Sequence, residues 1–261
     1  MNRYDIQDSV ILITGAAGQL GQATITAAIE SGAKLICLDL SMNALIEASE
    51  KNGWGNNVLL CSADIANEHS VSEAVKRGLE RFGVIDALIN NAGVSAFEPW
   101  QERTVHDFDW VTSVNLKGTF LCMKEYLNYL IKSKHSGSIV NVASFYGVIS
   151  PDPRIYTDLN RRNSEVYGAT KAGVIQMTKY FAVNGVLDGA DVRVNGIAPG
   201  GIRNSSDPQG EDFQRLYSER CPLKRMAEVE EMVGPMLFLI SSDASYINGQ
   251  TMIVDGGMTA W

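Results

Sequence analysis

The sequence lacks any apolar stretch of the roughly 20 residues that a bilayer-spanning helix requires, so no span of that kind is expected. It has no basic surplus either. Its 22 Lys and Arg face 30 Asp and Glu, and a net charge of −8 repels nucleic acid and anionic membrane surfaces, so neither is an expected partner. The four cysteines, Cys37, Cys61, Cys122 and Cys221, include no C-x-x-C pair. Neither a zinc knuckle nor a redox pair is suggested, and no metal site is expected. Cysteines so spaced read as reduced packing residues, which gives an expected cytoplasmic setting. Asp8 and a strand-like run follow Met1 to Asp5 at once, leaving no room for a signal-peptide apolar region. No internal repeat, low-complexity tract or linker divides the chain. With 45% hydrophobic residues in 261, the expectation is one domain over residues 1–261.

What the sequence does contain is an alternation of short β-branched runs with longer segments of helical periodicity, the pattern of parallel strands joined by crossover helices. Strands are predicted at Val10 to Thr14, Lys34 to Leu38, Asn57 to Cys61, Ala87 to Asn90, Ser138 to Val142, Val192 to Ile197 and Thr251 to Val254. Helices are predicted at Gln19 to Ser31, Glu68 to Phe82, Thr104 to Ile131, Val166 to Val186 and Val229 to Ile240. The expected fold is α/β, a doubly wound, mainly parallel seven-stranded Rossmann-like sheet with helices on both faces. Segments near 148–166 and 201–224 read as insertions that border a substrate site.

Thr14-Gly15-Ala16-Ala17-Gly18-Gln19-Leu20-Gly21 lies where the first strand turns into the first helix. Small residues there let the backbone approach a pyrophosphate, and the helix N-terminus adds amide donors and a positive dipole. A purely structural turn would need the same glycines. Asp39 ends the second strand, where a carboxylate can accept hydrogen bonds from both adenosine ribose hydroxyls; it could equally cap the helix that follows Ser41.

Tyr167-Gly168-Ala169-Thr170-Lys171 opens a helix, and residues four apart share a face, so phenol and ammonium can meet in one site. A nearby cation favours the phenolate and lowers its pKa, as a general acid or base for an alcohol or ketone requires. A solvated Tyr and Lys would show the same spacing. Ser144 follows Ile139 to Val142 and so stands at the carboxyl end of a strand, where open α/β sheets bind ligands; a plain turn hydroxyl is the alternative.

Taken together, these residues resemble the short-chain dehydrogenases/reductases in their shorter, single-domain branch, over essentially the whole chain. Asn90-Asn91-Ala92-Gly93 matches a family signature, and Asp255-Gly256-Gly257 resembles its C-terminal one. The resemblance implies a catalytic tetrad of Asn115, Ser144, Tyr167 and Lys171. Tyr167 would exchange the hydroxyl proton while hydride passes between substrate and nicotinamide. Ser144 would hold the substrate oxygen, Lys171 the nicotinamide ribose, and Asn115 a water leading to solvent. The implied cofactor is NAD, held by Gly15, Gly18, Gln19, Leu20, Gly21, Asp39, Asp64, Ile65, Asn91, Ala92, Gly93, Pro199, Gly200 and Ile202, besides Tyr167 and Lys171. A homotetramer assembled partly through the two long helices is implied as well, with apolar residues such as Trp110, Phe120, Leu127, Val174, Met177 and Phe181 offered for contact.

Three features depart from the family pattern. Gln19 stands where glycine is usual, and Asn204 where threonine is common. The Gly15, Gly18 and Gly21 triplet resembles the extended branch, so a sugar-nucleotide epimerase or dehydratase retaining NAD is a second reading. A non-catalytic dinucleotide sensor is a third, although it has no need of the tetrad. The lengthened stretch between Ser144 and Tyr167 resembles bacterial oxidoreductases of the gluconate or flagellin-glycan (nonulosonate) type. Arg154, Arg161, Arg162 and Arg203 in the two insertions are candidates to bind an anionic sugar or sugar acid, unless they are solvated or paired with nearby acids.

Overall fold

The structure is a computed structural model describing residues 4–157, 162–204 and 209–261. Seven strands form one parallel sheet: β1 (Val10–Thr14), β2 (Lys34–Asp39), β3 (Val58–Ser62), β4 (Ala87–Asn90), β5 (Ser136–Val142), β6 (Asp191–Pro199) and β7 (Thr251–Val254), in the order β3-β2-β1-β4-β5-β6-β7. The central strands are buried on both faces, which explains their unbroken apolar sequences. Alternation sorts their side chains: Ile11, Ile13, Leu35 and Cys37 join one core layer, and Val10, Leu12, Ile36 and Leu38 the other.

Helices α1 (Gln19–Glu30), α2 (Met42–Asn52), α3 (Glu68–Phe82), α4 (Val105–Thr112), α5 (Thr119–Ser133), α6 (Glu165–Leu187), α7 (Glu211–Arg220) and α8 (Glu230–Ile240) complete the fold. The core layer with Ile11 takes residues from α1, α2 and α8, and the layer with Val10 takes them from α3, α5 and α6. Between α4 and α5 the chain widens into a π-helical turn, Ser113–Gly118, so the single helix predicted from Thr104 to Ile131 is one path with an offset inside it. α7 was not among the predicted helices, and α2 was expected only as the helix after Ser41 that Asp39 could cap. Among the described residues, no helix is long and apolar enough to cross a membrane.

Strand order reverses between β1 and β4, and in such sheets the crevice beyond the carboxyl ends at that point is where ligands sit. Thr14, Asn90, Val142 and Pro199 all end at that edge.

Candidate active site

The turn after β1 is built from glycine for steric reasons. Gly15 has φ +65°, and a Cβ on it would lie 2.7 Å from the Ala92 Cα. A Cβ on Gly21 would come within 2.3 Å of the Gly15 carbonyl oxygen, so helix and turn pack backbone to backbone. Asn91 and Ala92 donate their backbone N–H groups to the Thr14 hydroxyl at 3.1 and 3.0 Å, and the Asn91 amide donates to the Thr14 and Gly15 carbonyls at 3.0 Å. Asp39 accepts from the Ala17 N–H at 3.0 Å, which sets its carboxylate against the glycine turn. Ser41, not Asp39, caps α2, accepting from the Ala44 N–H at 3.2 Å.

Ser144 ends the loop after β5, accepts from the Tyr146 N–H at 3.1 Å and is hydrogen-bonded to the Tyr167 side chain. Ser164 caps α6 by accepting from the Tyr167 N–H at 3.3 Å, which places the phenol on the helix's first turn. One turn on, Lys171 is buried and donates to the Val142 carbonyl at 2.8 Å. Burial drops its pKa to about 8. The expected lowering of the Tyr167 pKa by Lys171 is not what the geometry gives. Burial raises the phenol's pKa, Ser144 opposes that rise, and the ammonium is 5.6 Å from the ring centre, engaged on a backbone carbonyl.

Asn115 lies in the π-helical turn and is fully buried. Its Oδ1 accepts from the Val94 N–H at 2.8 Å, and its Nδ2 donates to the Val94 carbonyl at 2.8 Å and to the Thr170 hydroxyl at 3.2 Å. The amide thus couples the loop after β4 to α6 beside Lys171. Gly93 makes room there: a Cβ on it would lie 3.2 Å from Lys171 Nζ and 3.5 Å from Asn115 Oδ1.

A cavity of about 1090 Å³ opens over these strand ends, and Leu20, Asn91, Gly93, Ser144, Tyr167, Lys171, Pro199, Gly200 and Ile202 line it. Gly15, Gly18, Gln19, Gly21, Asp39, Asp64, Ile65, Ala92 and Asn115 stand outside its lining. The Asp64 carboxylate folds onto its own turn, accepting from the Ala66 N–H at 2.9 Å, and edges a separate shallow depression. Ile65 is buried and would meet any Cβ on Gly118 at 2.7 Å. The Gln19 amide reaches across to donate to the Arg203 carbonyl at 3.0 Å, which ties the glycine turn to the segment after β6. Asn204 lines the cavity, and its N–H donates to the Gln209 side chain at 3.2 Å. The Asp255-Gly256-Gly257 motif closes a turn of its own: Asp255 accepts from the Gly257 and Thr259 N–H groups at 2.9 and 2.7 Å.

Both inserted segments border the cavity, but through residues that the sequence does not mark as site residues; Tyr156 stands out there only as a tyrosine that lacks a lysine four residues on. Tyr146, Tyr156, Asn163, Phe213 and Tyr217 form an aromatic and amide wall facing Tyr167. A recurrence of aromatics across the two insertions was the available signal. Two of the four guanidinium groups are engaged elsewhere. Arg154 grips Asp152 at 2.9 Å and Arg203 pairs with Glu228 at 3.2 Å. Arg162 does not line the cavity, and Arg161 lies outside the described residues. Lys171 is the one cation among the described lining residues, against Glu211 and Asp212.

A family model described as enoyl-(acyl carrier protein) reductase matches residues 15–259. A 3-oxoacyl-[acyl-carrier-protein] reductase, FabG, of Thermotoga maritima is 35% identical, covering 97% of this chain and 98% of its own. A levodione reductase of Leifsonia aquatica is 35% identical, covering 97% and 95%. A crystal structure of a short-chain dehydrogenase from Leptospira borgpetersenii with bound NAD+ superposes with a TM-score of 0.86 at 35% identity, covering 98% of this chain and 94% of that one. These relatives do not single out the gluconate or nonulosonate subgroup. With the doubly wound sheet and the site at its switch point, they identify the chain as a member of the short-chain dehydrogenase/reductase family, oxidoreductases that bind a nicotinamide dinucleotide and act on CH–OH groups.

Proposed function

We propose that the protein transfers hydride between NAD(H) and a secondary alcohol or ketone carried on a sugar, polyol or sugar acid, with Asn115, Ser144, Tyr167 and Lys171 as its working set. The observation that carries this reading is the convergence of Ser144, Tyr167 and Lys171 on one cavity of about 1090 Å³ at the switch point. The chain's own shape suits the dinucleotide: with Gly15 and Gly21 the turn after β1 packs backbone to backbone onto the start of α1, the close strand-to-helix turn that a pyrophosphate needs. When bound, the nicotinamide accepts or supplies the hydride.

Gly15, Gly18, Gln19, Leu20 and Gly21 would hold the pyrophosphate, Asp39 the adenosine ribose, and Asp64 and Ile65 the adenine side. Asn91, Ala92, Gly93, Pro199, Gly200 and Ile202 would flank the nicotinamide half. Ser144 would donate to the reacting oxygen, and Tyr167, hydrogen-bonded to Ser144, would give or take its proton. Lys171 would hold the ribose and keep a positive charge beneath the phenol. Asn115 positions Lys171 by fixing the loop after β4.

Neutral hydroxylated substrates are favoured over acids, because Lys171 is the one cation among the described lining residues and Arg154 and Arg203 are paired with carboxylates. Residues 1–261 would act as one cytoplasmic domain with substrate segments near 148–166 and 201–224, and as a homotetramer. The test is a panel of matched sugars, polyols, sugar acids, steroids and aliphatic alcohols, read by NADH absorbance. Preference for polyols or sugars supports the reading; preference for steroids or simple alcohols overturns it. Tyr167→Phe should abolish turnover while NAD still binds, since it removes the transferable proton and leaves the ring.

A further inference from the structure

Along α7, Phe213, Tyr217 and Arg220 stand at i, i+4 and i+7, so they share one stripe of the helix, and each makes a different hold. The Phe213 ring packs on Tyr156 with centres 5.2 Å apart and on Tyr217 at 6.0 Å. The Tyr217 hydroxyl accepts from the Gly201 N–H at 2.7 Å, in the backbone that follows β6. Arg220 pairs with Asp152 at 2.7 Å, in the segment that follows β5. Away from this stripe Arg215 bonds its own exposed neighbours, Asp212 at 3.1 Å and Glu219 at 3.0 Å.

The hold on Gly201 is close and shielded. A Cβ on Gly201 would lie 2.7 Å from the Tyr217 ring, a Cβ on Gly200 would lie 3.0 Å from its hydroxyl, and Tyr217 is buried. At the other end the Asp152 carboxylate joins two structures. It accepts from the Arg154 N–H at 3.0 Å, which caps the 3-10 turn Pro153–Ile155 leading into Tyr156, and it also takes Arg220. A fully exposed ion pair would count for little, but this carboxylate is only 17% exposed and is held by Arg154 as well. Asp152 and Arg220 do not line the cavity, whereas Tyr156, Gly200 and Gly201 do, so the pair acts on the cavity through what it holds.

We propose that Tyr217, Arg220 and Asp152 are positioning residues that couple the two halves of the site. Tyr217 fixes the backbone at Gly201, next to the Gly200 assigned to the nicotinamide half, and the Asp152–Arg220 pair carries the position of the same helix to Tyr156 on the substrate wall. This rests on the oxidoreductase reading above and adds that the dinucleotide sets the shape of the substrate pocket, with the reciprocal effect of substrate on dinucleotide affinity.

Hydrogen exchange read by mass spectrometry, with and without saturating NADH, tests this on the full chain. In wild type, NADH should slow exchange about threefold or more at residues 15–21, which it would touch, and at residues 211–220 and 154–156, which the coupling reaches. Tyr217→Phe keeps the ring and removes the acceptor for Gly201, so slowing should persist at 15–21 and be lost at 211–220 and 154–156. Asp152→Asn keeps an oxygen for the Arg154 N–H and drops the charge, so slowing should persist at 15–21 and 211–220 and be lost at 154–156 alone. A helix that only packs against the wall would give no such graded loss. Slowing at 15–21 in a variant shows that it is folded, and Asp152→Asn carries the test by itself if Tyr217→Phe unfolds. Wild-type slowing confined to 15–21, or slowing at 154–156 that survives Asp152→Asn, overturns the proposal. No slowing at 15–21 in wild type overturns the dinucleotide reading on which it rests.

Discussion

Burial decides the chemistry of Lys171. Its ordinary pKa of 10.5 falls to about 8 because burial has taken the ammonium out of water, and two opposite pH trends result. Between pH 8 and 10.5 the unfolded chain binds the proton that the folded chain has released. The Lys171 contribution therefore stabilises the cofactor-free protein as pH rises through that window. A neutral amine is a poorer donor to ribose hydroxyls, so NAD affinity should fall as pH rises through about 8. Fluorescence titration of NAD across that range checks this; a flat wild-type profile, or the same slope in Lys171→Met, would contradict it. Asp39 makes a separate demand. A ribose phosphate placed about 4 Å from its carboxylate meets a repulsion of roughly 4 kcal/mol at an effective dielectric of 20, before screening reduces it. Preference for NAD over NADP should then exceed about tenfold and relax in Asp39→Ala, and equal efficiency of wild type with both cofactors would remove Asp39 from its assigned role.

At the scale of elements, the site depends on how closely α6 approaches the 3-10 turn Phe145–Gly147 after β5. A Cβ on Gly147 would stand 2.8 to 2.9 Å from the backbone of Lys171 and Ala172, atoms that cannot move without shifting the helix. Gly147→Ala should therefore cost about 1 to 3 kcal/mol of stability and reduce turnover as well, by separating Ser144 from Tyr167. Urea unfolding and kcat measured together would show it, and an alanine variant with both unchanged would mean that the contact is slack. β1 and β4 begin and end where the apolar runs in the sequence do, because a buried parallel strand is written as such a run. The π-helical turn at Ser113–Gly118 was not legible, since its offset answers to the buried hydrogen bonds of Asn115 and not to local periodicity. α7 was missed because half of it is charged and it buries Tyr217 alone. Ser144, Tyr167 and Lys171 were legible through motif and spacing. Tyr146, Tyr156 and Asn163 were not, because the inserted segment brings them together only once it has folded over the cavity.

For the whole molecule, the distribution of apolar surface argues for assembly. Along α6, Val174, Thr178, Ala182 and Gly185 are buried inward, while Tyr180, Val183 and Leu187 lie on the opposite face and Leu187 is 76% exposed. Phe120 on α5 is exposed beside them, with its ring 6.3 Å from Phe181, so the two helices offer one continuous patch, and Phe108 and Trp110 on α4 are exposed as well. Leu127 and Val174, expected from the sequence to be available for contact, are spent on the protomer's own core. A patch of this kind, on the very helix that carries Tyr167 and Lys171, is read as a subunit interface, and the proposed tetramer would cover it. Light scattering at micromolar concentration should then return four times the 28.4 kDa chain mass. Val183→Glu places a charge where a partner would desolvate it, and it should lower that mass and turnover together, because α6 would lose its support. A wild-type protein that scatters as a single 28.4 kDa chain would refute the assembly and leave the patch to some other partner.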